Sequence, residues 1–172
     1  VYLVYPVYET IRLSFFNFGG FDFVGLKNYL WAFGNPEFMQ AIYNNLLWLL
    51  FVPTLSVVFG LLVAVLADKV SWGTLAKSLI FMPMAISFVG AGVIWKFIYE
   101  YRGPANEQIG LLNAIIVSFG FEPQAWITIP IWNNLFLMAI MIWIQTGLAL
   151  VIFSAALRGI PKEMLEAARI DG

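Results

Sequence analysis

The sequence predicts an all-α integral membrane protein, a multi-span helical bundle with about four spans. Its 172 residues are 62% hydrophobic and only 11% charged, whereas soluble domains carry about 25% charged residues. Three intervals contain no Asp, Glu, Lys or Arg: residues 38–67, 78–95 and 123–157. A helix of about 20 apolar residues is enough to cross the ~30 Å hydrocarbon core. We therefore expect a single transmembrane domain over residues 1–172, truncated at both ends because the chain starts inside an apolar run.

The first predicted span is partial and covers about residues 1–16. Residues 1–8 are apolar, and Glu9 and Arg12 lie one helical turn apart, so that they can pair near a membrane boundary. Residues 17–29 are rich in Gly and broken by Asn and Asp, which is typical of a loop. We therefore expect the chain to leave the membrane here before the next span begins.

The second and third predicted spans each contain a proline. Residues 41–67 form the second span, and Pro53 is tolerable inside it because neighbouring helices can satisfy the carbonyl that the proline frees. Residues 78–97 form the third span, which contains Pro83. Its charge-free part has 18 residues, barely enough to cross a bilayer. A tight polar connection over residues 68–77 joins the two spans.

The fourth predicted span covers residues 128–157 and follows a longer loop. Within that loop, residues 110–116 form an apolar piece that is too short to cross a bilayer, and we expect it to lie along the outer face. The charge-free interval around the fourth span exceeds the membrane thickness, so the span is expected to tilt, to extend beyond the bilayer or to begin in a loop. It leads directly into residues 158–172.

The last stretch of the chain predicts a short surface helix. Pro161 suits a first helical position, where its missing N–H is no loss, and Gly172 suits the left-handed residue after a helix end. At helical spacing the apolar side chains share one side and the charged side chains share another. The apolar side holds Met164, Leu165 and Ala168, and the charged side holds Lys162, Glu166 and Arg169. This piece should lie on a surface rather than cross the membrane.

Glu166-Ala167-Ala168, three further residues and then Gly172 resemble the EAA motif of permease subunits in binding-protein-dependent ABC importers. The flanking Leu157-Arg158-Gly159-Ile160-Pro161 and Ile170-Asp171-Gly172 resemble the form found in carbohydrate importers of the maltose type. The stretch Phe81 to Ser87, followed by Trp95-Lys96, is similar to the corresponding span of the α-glucoside branch, and Gly110 with Asn113 matches a Gly-x-x-Asn element of the family. The resemblance implies that residues 158–172 begin a cytoplasmic loop that holds an ATPase. The implied coupling residues are Pro161, Glu166, Ala167, Ala168, Arg169, Asp171 and Gly172.

The resemblance also implies a set of partners. It implies a second permease subunit, two cytoplasmic ATPases that carry ATP and Mg²⁺, an extracytoplasmic sugar-binding protein, a sugar substrate and membrane lipid, in the bacterial inner membrane. Independently, the Lys and Arg count agrees with a cytoplasmic tail, because the inner segments hold five and the longer outer segments hold three. The net charge of -1 gives no reason to expect nucleic acid.

The composition also excludes several kinds of chemistry within this chain. With no Cys and no His, thiolate chemistry, the usual zinc sites and histidine base catalysis are absent. No GxxxxGK pattern followed by Ser or Thr occurs, so this chain does not itself cradle a nucleotide phosphate. The charge-free intervals lack the ionisable groups that proton-coupled carriers need at depth. An ion-coupled carrier or channel with no ATPase partner remains the alternative function, and a membrane-embedded enzyme is a third hypothesis.

A polar stripe on the fourth span is a candidate substrate path. Asn134, Met138, Met141 and Gln145 recur at helical spacing, and Trp143 lies on an adjacent stripe with Trp132 and Phe136. Amides can bond sugar hydroxyls and aromatic rings can cover flat sugar C–H faces, so this wall suits a neutral carbohydrate. The competing interpretation is plain helix packing, because amides often bond between membrane helices.

Overall fold

The computed structural model describes residues 2–171, except for the side chains of Lys162, Arg169 and Asp171. Within these residues the chain is helical, with one isolated β-bridge between Phe16 and Phe23. It divides after Leu47 into two compact units. The α-helices in chain order are α1 (Val4–Leu13), α2 (Lys27–Gly34), α3 (Pro36–Ala67), α4 (Gly73–Phe81), α5 (Phe88–Tyr99), α6 (Leu111–Ser118), α7 (Trp132–Arg158) and α8 (Lys162–Asp171).

In the first unit, side-chain hydrogen bonds tie the end of α1 to the start of α2. The Asn28 Nδ2 atom donates to the carbonyl oxygens of Ser14 and Phe16, at 2.8 Å each. The hydroxyl groups of Ser14 and Tyr29 lie 2.6 Å apart. The predicted loop is therefore a closed turn, in which Gly25 adopts a φ of +59° that an L side chain rarely takes.

Two helices among the described residues are long and apolar enough to cross a membrane, α3 with 32 residues and α7 with 27. The helix α3 ends at Ala67, where the predicted second span ends, but it begins five residues earlier, at Pro36. The helix α7 covers most of the predicted fourth span, and residues 126–128 before it form a short 3₁₀ turn. The helix α1 has 10 residues, so the partial first span stays a prediction.

The third predicted span is not one continuous helix. It is divided into α4 and α5, which meet at an angle of 106° and form a third span only if the bent pair crosses together. Between them, residues 82–85 form a 3₁₀ turn that contains the buried Pro83, which cannot donate to the preceding helical turn. The Ser87 Oγ atom then accepts a hydrogen bond of 3.1 Å from the Gly90 backbone N–H and caps the new helix.

The core of the second unit is built on small residues of α3. Its buried positions recur at helical spacing and are Ser56, Gly60, Ala64 and Ala67. A Cβ built on Gly60 would lie 2.5 Å from the Ala149 Cβ atom, so α3 and α7 approach each other almost backbone to backbone. The helix α4 packs on α7 in a similar way, because a Cβ on Gly147 would lie 3.1 Å from the Ile80 carbonyl oxygen. Small residues serve this close approach in membrane helix pairs.

Candidate functional site: the surface helix and the groove beside it

The helix α8 is a separate surface helix after the turn at residues 159–161. Its described side chains are exposed on both faces, and Ile170 is 86% exposed. The apolar side chains of Met164 and Leu165 are also exposed. In an amphipathic helix this apolar side normally packs against another element, and here it does not. Among the described side chains, the apolar Met164 and Leu165 and the acidic Glu166 are therefore open to a partner.

The start of α8 differs by one residue from the prediction. Pro161 precedes the first helical residue, Lys162, and its carbonyl oxygen accepts the Met164 and Leu165 backbone N–H groups at 3.2 and 3.4 Å. Among the other predicted coupling residues, Glu166, Ala167 and Ala168 are exposed. Gly172 and the side chains of Arg169 and Asp171 lie outside the described residues.

A cluster of three charges lies beside the corner between α7 and α8. The Asp68 Oδ1 atom is 2.7 Å from Lys77 Nζ and 3.8 Å from Arg158 Nη2. The hydrogen bond from Lys77 lowers the pKa of the Asp68 carboxyl below its usual value, and the charges of Lys77 and Arg158 act in the same direction, whereas partial desolvation opposes them. The sequence alone did not indicate this cluster. Its only signal was that each member borders an apolar interval.

The residues of the predicted polar stripe on α7 differ in their burial and in their contacts. Asn134 accepts a hydrogen bond of 3.2 Å from Trp48 Nε1, and Met138 is buried at 1% exposure. Met141 and Gln145 are half-buried. Asn134 and Gln145 lie 11 residues apart, about 16 Å along a helix axis, so the two amides cannot hold the same sugar ring.

Trp143 belongs to an aromatic cluster that joins α5 to α7. Its ring meets the Trp95 ring edge-on at 5.7 Å, and Trp95 contacts Tyr99 at 5.0 Å. The Tyr99 ring meets Phe136 at 5.6 Å, and the Tyr99 hydroxyl donates to the Phe136 carbonyl oxygen at 3.0 Å. Two of the three predicted aromatic wall residues therefore hold the helices together in this unit.

Gln145 lines a groove of about 500 Å³ between α3 and α7. Pro53 and Ser56 lie on the α3 side of this groove, and the remaining walls are apolar. Among the described residues the Ser56 Oγ atom is buried without a hydrogen-bond partner. Ser56 was missed by the sequence analysis, because only the packing of α3 on α7 brings it beside Gln145.

Among the described residues, the long apolar helices α3 and α7 and the bent pair α4–α5 are those of a helical integral membrane protein. The sequence matches the family of binding-protein-dependent transport system inner membrane components over residues 42–172, and the chain belongs to this family. The resemblance drawn from the EAA motif is thereby confirmed. The curated relatives described below are named as permeases.

Two curated relatives are similar over nearly the whole chain. The chain is 66% identical to the alpha-glucoside transport system permease protein AglF of Rhizobium meliloti, over 100% of this chain and 51% of that protein. It is 57% identical to the osmoprotective compounds uptake permease protein GgtC of Synechocystis sp., over 99% of this chain and 61% of that protein. The chain thus spans about half to three fifths of the length of these relatives.

A solved structure shows the same fold. The crystal structure of a bacterial ABC transporter involved in the import of the acidic polysaccharide alginate matches 99% of this chain and 57% of its own chain, with a TM-score of 0.71 at 21% identity. A second crystal structure shows the bacterial alginate transporter in complex with an alginate pentasaccharide-bound periplasmic protein, with a TM-score of 0.72 over the full chain.

Proposed function

We propose that this chain is part of a permease subunit of an ATP-driven importer for α-glucosides or related neutral oligosaccharides. The subunit forms part of the translocation path and is coupled through α8 to a separate ATPase. The observation that carries the proposal is the exposed helix α8, which presents Glu166-Ala167-Ala168 directly after the long apolar helix α7. An alanine pair allows a second backbone to approach closely, and a carboxylate can receive a basic side chain.

The substrate class rests on the groove and on the relatives. The groove beside Gln145 is mostly apolar and has the Gln145 amide at its wall, which favours a neutral ligand with hydroxyl groups over a charged one. The relative with 66% identity is named for alpha-glucosides. We therefore propose Asn134, Met138, Met141, Gln145 and Trp143 as the α7 contribution to the path, with Gln145 at the wall of the groove between α3 and α7.

The assembly is part of the same proposal. A second permease subunit, two cytoplasmic ATPases that carry ATP and Mg²⁺ and an extracytoplasmic sugar-binding protein complete the transporter, with α8 on the cytoplasmic side. A periplasmic protein bound to the alginate transporter of the same fold supports a binding-protein partner. Binding of ATP would draw the ATPases together, move α8 and open the path to alternate sides.

The coupling role is tested by Glu166→Lys in the full-length protein within its assembled transporter. Loss and reversal of one charged contact, worth about 1.5–3 kcal/mol, should reduce ATP-driven uptake into proteoliposomes roughly 10- to 100-fold. Membrane insertion and subunit abundance should remain unchanged. Glu163→Lys is the matched control, because it places the same charge change on the same exposed helix but outside the EAA pattern. Gly172→Val provides a second test of the motif.

Two results would count against the proposal. Normal uptake in both Glu166→Lys and Gly172→Val would show that α8 carries no coupling contact. Purification of the full-length protein without any ATPase, with uptake driven by an ion gradient, would favour the ion-coupled carrier. Sidedness is tested separately by labelling Leu165→Cys in a cysteine-free background, where a reagent that cannot cross the membrane should react only from the cytoplasmic side.

A further inference from the structure

The charge cluster at the α7–α8 corner joins three different parts of the second unit. Asp68 is the first residue after α3, Lys77 lies on α4, and Arg158 is the last residue of α7. Asp68 and Arg158 are separated by 90 residues in sequence. One carboxylate therefore receives a cation from each of the two elements that pack against the end of α3.

This charge cluster adds little to the stability of the fold. Ion pairs at a water-exposed surface contribute a median of about 0–1 kcal/mol, and the Arg158 side chain is 69% exposed. The Lys77 side chain, by contrast, is only 16% exposed, so its ammonium group is held against Asp68 by the surrounding residues. The carboxylate is thus fixed to α4, and the Arg158 guanidinium approaches the same Oδ1 atom at ion-pair distance, too far for a hydrogen bond.

The elements around Asp68 are closely packed on one another. A Cβ on Gly73 would collide with the Ala67 carbonyl oxygen, so α4 begins hard against the end of α3. Gly147 packs against the backbone of Ile80 and Phe81, which fixes α4 to the middle of α7. Gly60 of α3 meets Ala149 and Leu150, so the closely packed part of α7 extends to Leu150, and about eight residues, or ~12 Å, follow it up to Arg158.

The connection from α7 to α8 is short. Residues 159–161 link the two helices, and the backbone N–H groups of Gly159 and Ile160 bond back to α7 itself, at Ala155, Ala156 and Leu157. Among the described contacts of this corner, the Arg158 to Asp68 pair is the one that reaches α3 and α4. A displacement of α8 could otherwise bend the end of α7 without moving the helices beside it.

We propose that Asp68 is a positioning residue for energy coupling, which fixes the α7–α8 corner to the α3–α4 turn through Arg158 and Lys77. A movement that the ATPase imposes on α8 then reaches α3 and α4 together with α7. Asp68 touches neither the substrate nor the ATPase in this scheme, and its role rests on the proposed function of α8.

The test uses the assembled full-length transporter with Asp68→Asn, which keeps the shape of the side chain and removes its charge. We expect the number of ATP molecules hydrolysed per sugar imported to rise about two- to fivefold, which is the range that the loss of a surface ion pair can account for. Arg158→Gln should shift the ratio in the same direction but by no more, because it leaves the bond between Asp68 and Lys77 in place. The double variant should be no worse than Asp68→Asn alone, because Asp68→Asn has already lost the pair with Arg158. Asp68→Glu should restore much of the coupling. Glu107→Gln, an exposed carboxylate in a distant loop, is the matched control.

A second measurement does not depend on transport. Spin labels at Leu75→Cys on α4 and Leu165→Cys on α8, both exposed, report the distance between the two helices. We expect one narrow distance distribution with Asp68 and a broader one with Asp68→Asn, while Glu107→Gln leaves the distribution narrow. An unchanged distribution, or an unchanged ratio of ATP to sugar, in Asp68→Asn would overturn the proposal. If the unaltered transporter hydrolysed no ATP during uptake, the proposed coupling of α8 to an ATPase would be refuted. The distance measurement would still show whether Asp68 fixes the position of α8 relative to α4.

Discussion

Gly60→Ala is the sharpest test of the packing between α3 and α7. The added Cβ would lie 2.5 Å from the Ala149 Cβ atom and 2.9 Å from the Leu150 backbone nitrogen. Carbon atoms in van der Waals contact lie about 3.5–4.0 Å apart. The two helices must therefore separate by about 1 Å at this crossing, and backbone rather than a flexible side chain stands in the way.

The size of the effect is best measured as a difference between two variants. Overpacking of a filled core costs about 1–3 kcal/mol, while replacement of a helical Gly by Ala contributes about 0.8–1.0 kcal/mol of stability. Gly92→Ala on α5 is the control, because a Cβ there would meet nothing within 4 Å. The helix-propensity gain occurs in both variants and cancels, so Gly60→Ala should be less stable than Gly92→Ala by about 1–3 kcal/mol.

The assay is thermal denaturation of the assembled transporter in detergent, followed by size-exclusion chromatography. A difference of this size corresponds to about 2–12 °C in Tm for a domain of roughly this length. Ala149→Gly in the Gly60→Ala background should recover part of the loss, because it removes the nearest clashing atom. If Gly60→Ala melted at or above Gly92→Ala, the close approach of α3 and α7 would be refuted.

Three further predictions concern hydrogen bonds and charge. Asn113→Ala should lower the unfolding free energy by about 3 kcal/mol, because the buried amide makes three hydrogen bonds to backbone groups at about 1 kcal/mol each. Ser118→Ala, which loses one hydrogen bond within its own helix, is the control in the same melting assay. Trp48→Phe keeps most of the ring but loses the bond to Asn134, so it should lower the unfolding free energy by about 1 kcal/mol, and an unchanged Tm would argue against this bond. The pKa of Asp68 lies below its ordinary value of 3.8. The stability that the ionised carboxylate adds is therefore fully present above pH 3.8 and is lost as the pH falls through the lowered pKa. The melting temperatures of the wild type and Asp68→Asn should differ at neutral pH and converge in acid.

The ends of the two long helices could be predicted from the sequence because a charged residue lies at the C-terminal end of each. Asp68 stops α3 at Ala67, and Arg158 ends α7, so the limits of these helices follow from where an ionised side chain can remain in water. The helix α3 begins at Pro36, five residues before the predicted second span, and its first turn holds Glu37, outside the charge-free interval. Here Asn35 accepts hydrogen bonds from the backbone N–H groups of Glu37 and Phe38, and this cap fixes the start.

The break between α4 and α5 and the charge cluster depend on contacts that a linear pattern does not contain. Pro83 indicated an interruption, but a proline inside an apolar run equally fits a mild kink, and the angle of 106° depends on packing against α7. Asp68 and Arg158 meet only because Gly60 and Gly147 allow the helices to approach. Periodicity likewise placed Asn134 and Gln145 on one face, but it gave no information about what covers each amide.

Glu100, at the end of α5, contacts both Gly110 and Asn113 and so closes the connection between α5 and α6. Gly110 lies against the Glu100 carbonyl oxygen, which also accepts the Asn113 side-chain N–H at 2.8 Å, so both ends of residues 101–109 are pinned at one point. A connection whose ends are already joined adds only about 0.6 kcal/mol of closure entropy for each doubling of its length. Residues 104–106 are therefore a suitable place to insert an epitope or a fluorescent reporter, which would leave both neighbouring helices in register.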